Sequence, residues 1–194
     1  MLKTLEDFGM TKWIAFFSQT GSEIVEISRR VGRQPDMIIT NNRPAHLRTI
    51  NPEILKMHSS LGITPNKPDM VDYLQKLRHL PGEPGETLIT LHGWLRIVPK
   101  EVTDMYEHVY NGHPGLISRY PELKGKDPQK KAWDLNLDTC GWVIHEVTEE
   151  FDDGFIISEK EVPIRNLSLD QLFETLHKTS IDLWVDFLSE KLSN

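Results

Sequence analysis

The sequence predicts an α/β fold, a Rossmann-like three-layer sheet that is mostly parallel, with a mixed or antiparallel edge and a C-terminal helix. Three observations carry this expectation. Short apolar runs rich in β-branched residues alternate with segments of helical periodicity, the pattern of a sheet built with right-handed crossovers. The first three runs are continuous rather than alternating, as expected of strands covered on both faces. Strand signals become denser towards the C-terminus, which fits a mixed edge.

The strand expectations are "KWIAFFS" (Lys12–Ser18), "DMIITN" (Asp36–Asn41), "TLITLHGW" (Thr87–Trp94), "GWVIHEVTEE" (Gly141–Glu150) and "FIISEKEVPI" (Phe155–Ile164). Between them, "SEIVEISRRV" (Ser22–Val31) sets Ile24, Ile27 and Val31 on one helical face, with Ser22 as the expected cap. "KPDMVDYLQKLRHL" (Lys67–Leu80) does the same with Met70, Leu74 and Leu77, and Pro68 suits a first turn. Ser168–Leu192 reads as a long amphipathic helix capped by Ser168. "RHLPGEPGE" (Arg78–Glu86) has the composition of a linker but reads as a loop, because the next strand continues the same pattern. One domain over residues 1–194 is expected, with a crevice at the carboxyl ends of the strands.

Composition narrows the function classes. A net charge of −7 argues against a dedicated nucleic-acid binder. The single cysteine, Cys140, rules out an internal disulfide and points to a reducing compartment. "MLKTLEDFGMTKW" lacks the apolar core of a signal peptide, and no apolar run approaches the roughly 20 residues of a membrane helix. A cytoplasmic protein, monomer or homodimer, is expected. Trp133, Trp184 and the last helix form either a dimer face or part of the core. The eight histidines include no HExxH and no pair at helical spacing, so no metal is expected.

Three stretches could carry chemistry. "SQTGSE" (Ser18–Glu23) joins a strand to a helix, where backbone N–H groups favour anions. It is either an anion site or an ordinary turn, and the nucleotide motifs are absent. "VYNGHPGLISRYP" (Val109–Pro121) reads as a stiff loop. Asn111 offers an amide donor for an oxyanion and His113 a general acid or base, or both simply punctuate a turn. "HEVTEEFDDG" (His145–Gly154) is an acidic loop in which Asp152 could orient His113.

Taken together, "LHGWLRIVPKEV", "VYNGHPGLISRYPELKG" and "VIHEVTEEFDDGFIISEKEVPI" resemble the folate-dependent formyltransferases, especially those acting on glycinamide ribonucleotide. The Gly-aromatic-x-Arg-Ile strand end, the Asn-x-His-Pro loop and the Val-His-x-Val…Asp-x-Gly loop occur in the family's order, over about Trp13 to Ile164. The resemblance implies that Asn111, His113 and Asp152 are catalytic. Asn111 and His113 would stabilise the oxyanion formed when an amine attacks the formyl carbon of 10-formyltetrahydrofolate, and Asp152 would hold His113 charged. It implies a donor site at Trp94, Leu95, Arg96, Ile97 and Val98, closed by Glu146, Val147, Thr148 and Asp153. It implies an acceptor site at Gly21, Ser22, Glu23, Lys124 and Gln129.

The departures fall on the acceptor side. Where the purine-pathway members read Gly-x-Gly-Ser-Asn and hold a phosphate, this chain has Gln19-Thr20-Gly21-Ser22-Glu23. A buried acid beside a phosphate costs roughly several kcal/mol. Gln129 stands where the family has a His, and Asp153 replaces a small residue. Lys124, Lys126, Lys130 and Lys131 form either an anion-binding patch or a solvated helix start. The expected acceptor is a small primary amine, with phosphorylated and nucleotide-linked amines among the candidates. The alternatives are a non-catalytic folate- or nucleotide-binding relative and a formyltetrahydrofolate hydrolase, although the N-terminal regulatory domain usual in the latter is not expected here. Extra C-terminal modules, as in amino-sugar nucleotide relatives, have no room either.

Overall fold

The computed structural model describes residues 10–80, 82–150 and 152–192; most of the N-terminal stretch read as lacking a signal-peptide core, residues 1–9, lies outside them. The described strands form one seven-stranded sheet. In chain order they are β1 (Lys12–Phe17), β2 (Met37–Thr40), β3 (Ser60–Ile63), β4 (Thr87–His92), β5 (His108–His113), β6 (Thr139–Glu146) and β7 (Ile156–Pro163). The spatial order is β3-β2-β1-β4-β5-β6-β7. The pairs from β3 to β5 are parallel, whereas β5–β6 and β6–β7 are antiparallel. The mostly parallel sheet with an antiparallel edge is thus as the sequence predicts.

The helices are α1 (Ser22–Val31), α2 (Met70–Leu77), α3 (Lys100–Met105), α4 (Pro128–Asp134) and α5 (Leu169–Lys191). Ser168 caps α5 with a full capping box, accepting from the Gln171 backbone N–H while the Gln171 side chain accepts from its own. Asp69 does the same for α2, so Pro68 precedes the helix rather than entering its first turn. Ser22 is the first residue of α1 and not its cap; the cap position is Gly21, without a side-chain bond.

The sheet separates two apolar layers. On one face Trp13, Ala15, Leu88, Tyr110 and Ile144 pack against Ile24 and Ile27 of α1 and Trp184, Phe187 and Leu188 of α5. On the other, Ile14, Phe16, Ile39, Ile89 and Val109 pack against Tyr73, Leu77 and Val102 of α2 and α3. Trp184 is fully buried, so it closes the core; Trp133 is 44% exposed.

Two expected elements differ. Asn111 and His113 lie in β5, not in a loop. Gly112 and Pro114 look like turn punctuation, but the strand is held by parallel pairing to β4 and antiparallel pairing to β6. Trp94–Val98 is not a strand end, because β4 stops at His92 and the chain leaves the sheet as an irregular segment. The short edge strand β3 and the short helices α3 and α4 carry little periodicity and are set by packing.

Candidate active site

A cleft of about 810 Å³ runs across the carboxyl ends of β1, β4 and β5, where ligands of open α/β sheets bind. Side chains alternate faces along a strand, so Asn111 and His113 share one face of β5. His145 of β6 stands opposite Asn111 in register. A register shift between Ile144 and His145 bends the strand here.

These residues meet in a connected polar group. The Asn111 amide Nδ2 donates to His145 Nε2 at 3.1 Å, and His145 Nδ1 donates to the Glu146 carbonyl at 2.7 Å. These two bonds place the His145 proton on Nδ1. Asp152 Oδ2 lies 3.3 Å from His113 Nδ1, and its Oδ1 lies 3.6 Å from His145 Nε2. The Gly125 N–H donates to Asp152 Oδ2 at 2.9 Å. His113 Nε2 donates to the Leu123 carbonyl at 2.9 Å.

Asp152 holds a left-handed backbone, φ 50°, a sparsely populated conformation for a non-glycine residue that clusters at functional sites. The turn behind it needs glycine. A Cβ on Gly154 would sit 1.8 Å from the Glu146 carbonyl oxygen.

Burial and charge oppose one another at this group. Burial lowers the His113 pKa from its ordinary value of 6.5, and the Asp152 carboxylate and the Leu123 carbonyl only partly offset it. Desolvation of the imidazolium thus works against the expectation that Asp152 keeps His113 charged, although both ring nitrogens face acceptors. Burial tends to raise the Asp152 pKa, but the neighbouring His145 and His113 imidazoles and the Gly125 N–H together bring it below 3.8. Asp152 is thus favoured as a carboxylate, beside an imidazole whose charged form burial disfavours.

The rest of the cleft divides in two. Trp94, Leu95, Arg96, Ile97, Val98, Val147 and Thr148 line one end. Leu95 is 58% and Ile97 60% exposed, and adjacent exposed aliphatic side chains in a cleft mark a surface that a ligand covers. Arg96 is turned onto its own segment, donating to the Asn66 side-chain and backbone oxygens and to the Leu95 carbonyl. Glu146 lines a smaller neighbouring pocket, and Asp153 is ion-paired with Lys124; neither of these acids lines the cleft itself. The other end is lined by Gly21, Ser22, Glu23, His92, Trp142, Phe173, His177 and Gln129.

Lys124 is absent from the cleft wall. The lysine-rich segment is largely tied down: Lys124 pairs with Asp153 and Lys130 with Asp134, and Lys131 donates to the Lys124 carbonyl. Only Lys126 of the four reaches the cleft. Among the described residues no three His, Cys, Asp or Glu side chains are grouped to hold a metal ion, and no helix is long and apolar enough to cross a membrane.

Sequence reading passed over His145, His92 and Ser180. His145 was legible in "VIHEV" as a polar residue inside an apolar strand, but its partner Asn111 lies 34 positions away.

An amide, two imidazoles and a carboxylate thus converge in the cleft of a Rossmann-like α/β sheet. The formyl transferase family profile matches residues 44–188, about three quarters of the chain, and the chain belongs to that family. It is 35% identical over 99 residues to a phosphoribosylglycinamide formyltransferase of Dictyostelium discoideum, covering 47% of this chain and 48% of the relative. It is 28% identical over 131 residues to a methionyl-tRNA formyltransferase of Thermotoga neapolitana, covering 66% of this chain and 38% of the relative. The chain thus spans half or less of these relatives' length. Among solved structures, a phosphoribosylglycinamide formyltransferase from Bacillus halodurans superposes with a TM-score of 0.75 at 24% identity, covering 94% of this chain and 96% of that one. A formyltetrahydrofolate deformylase from Pseudomonas syringae gives a TM-score of 0.77 at 17% identity, over 96% and 62%. These structural likenesses establish the fold.

Proposed function

We propose that the chain, acting as one formyltransferase-like unit, transfers a formyl group from 10-formyltetrahydrofolate to a primary amine of a small acceptor. The observation that carries this reading is the convergence of Asn111, His113, His145 and Asp152 at one point of the cleft. The cleft volume of about 810 Å³ suits two small molecules lying end to end.

The donor would lie against Leu95, Ile97, Val98, Val147 and Thr148, its flat ring covering the exposed aliphatic pair. The amine nitrogen adds to the formyl carbon, the carbonyl oxygen takes up the electron pair, and the bond from carbon to N10 of the folate then breaks. Asn111 spends one amide hydrogen on His145, which fixes the plane of the amide and leaves the second hydrogen for the oxyanion. His113 Nε2 donates to the oxyanion after exchanging the Leu123 carbonyl for the substrate. Asp152, which stays ionised beside both imidazoles, assists the passage of the amine proton to N10 of the leaving folate.

Formyl transfer with a panel of primary amines tests the reading, with formate release followed in parallel. Transfer that Asn111→Ala abolishes supports it. Formate release with no amine requirement assigns the hydrolase instead, and failure to bind folate assigns the non-catalytic relative.

A further inference from the structure

The face of the sheet opposite Asn111 and His113 carries a second polar group that the proposed chemistry does not use. Glu23, in the first turn of α1, accepts from His92 Nδ1 at 2.8 Å through Oε2. Its other oxygen accepts from the Ser180 hydroxyl of α5. His92 Nε2 meets Thr90 Oγ1 at 2.9 Å, and that oxygen also accepts from the Trp13 indole at 2.9 Å. The His92 ring lies against Trp184 with centroids 4.7 Å apart. Glu23 is only 14% exposed and His92 1%. Both His92 nitrogens are therefore committed within the protein, and no imidazole N–H is left for a ligand.

This group sits where a βα turn ordinarily receives an anion. Here the chain supplies its own. The Glu23 carboxylate occupies the first turn of α1, where it complements the helix dipole. The turn itself is closed on its own hydroxyls: Ser22 N–H donates to Thr20 Oγ1, Thr20 donates to Ser22 Oγ, and Asn51 Nδ2 also donates to Ser22 Oγ. Beyond the carboxylate the wall is formed by His177, Phe173 and Trp142. Phe173 is 45% exposed, and Trp142 presents a partly buried ring.

We propose that Glu23 makes this end of the cleft a phosphate-excluding acceptor subsite, which takes an amine with an uncharged tail bearing a flat apolar face. This rests on the reading of the cleft as a formyl-transfer site. A phosphate brought against the buried carboxylate meets like charge, a juxtaposition that costs several kcal/mol. An uncharged tail can stack on Phe173 and Trp142 and leave the Glu23–His92–Thr90 chain intact.

The test uses inorganic phosphate as the probe and side-chain NMR of His92 and His177 as the readout. In the wild-type chain, phosphate leaves these signals in place up to roughly 50 mM, weaker than the millimolar binding that corresponds to about −4 kcal/mol. Glu23→Gln removes the charge at constant shape, and phosphate then binds at least about tenfold more tightly, a change of about 1.4 kcal/mol. Glu23→Asn provides the same comparison should the Gln variant fold poorly. Saturable millimolar phosphate binding at the wild-type site overturns the proposal, and so does the absence of any gain in the folded variants. Titration of the same samples with a reduced-folate analogue reports on the donor end separately, so failure of the formyl-transfer reading is seen there and not in the phosphate result.

Discussion

The two faces of the sheet meet one cleft with opposite designs. On the Asn111–His113 face, polar groups are buried together but keep capacity in reserve: one Asn111 hydrogen, a His113 proton held loosely by burial, and a carboxylate near two imidazoles. On the other face the Glu23–His92–Thr90–Trp13 chain is closed at both ends. Gly112 divides the two. A Cβ there would stand 2.7 Å from Trp184 Nε1 and 2.8 Å from Trp142 Nε1, so only glycine lets both indoles approach the strand. The difference teaches how one cleft can combine buried polar groups with hydrogen-bonding capacity in reserve and a Glu23–His92–Thr90–Trp13 chain with none.

The largest effect that can break this comparison is on the reactive face. Asn111→Ala should lower kcat/KM by about 10²–10³, the usual loss for one oxyanion donor, while folate affinity stays within about twofold, well under 1.4 kcal/mol. Equal turnover in variant and wild type would remove Asn111 from the chemistry. On the dividing residue, Gly112→Ala should destabilise the fold by about 1–3 kcal/mol through overpacking against two indoles. Denaturant unfolding measures this, and an unchanged midpoint would contradict the tight approach.

The pH dependence sharpens the contrast further. The folded pKa of His113 lies below 6.5, so between that value and 6.5 the unfolded chain holds a proton that the folded chain does not. Stability therefore rises with pH across this window and falls on acidification. The acid limb of kcat/KM should correspondingly lie below pH 6.5. Glu23 behaves differently. Burial tends to raise its pKa, but hydrogen bonds from His92 and Ser180 and the charges of His92 and His177 hold it below 4.5, so its contribution is lost only as pH falls below that value. Glu23→Gln should flatten the pH dependence of stability below pH 4.5 and leave its slope around pH 6 unchanged, as followed by thermal unfolding. The smallest effect lies away from the cleft. Ser168→Ala should cost about 1 kcal/mol by removing the α5 cap, with kcat/KM unchanged, which separates loss of stability from loss of site geometry.

Periodicity made α1, α2 and α5 legible, and continuous apolar runs gave β1, β2 and β4, because these elements bury whole faces. β5 was hidden by its own composition. Gly112 and Pro114 have turn chemistry, yet Gly112 is required by Trp142 and Trp184, which lie 30 and 72 residues downstream in the chain. The ordered pattern of Asn111, His113 and Asp152 was readable as a motif, and the structure places the three together. The closed chain behind it was not readable, since Trp13, Glu23, Thr90, His92 and Ser180 come from four separate elements and none has a distinctive local pattern.

The central claim is that the cleft holds a reduced folate beside Asn111 and His113. Calorimetric titration of the purified chain with a stable reduced-folate analogue tests it most directly. The account predicts binding in the micromolar range, about −8 kcal/mol, retained in Asn111→Ala and lost when Leu95 and Ile97 are replaced by Asp. No heat of binding up to millimolar folate would contradict it.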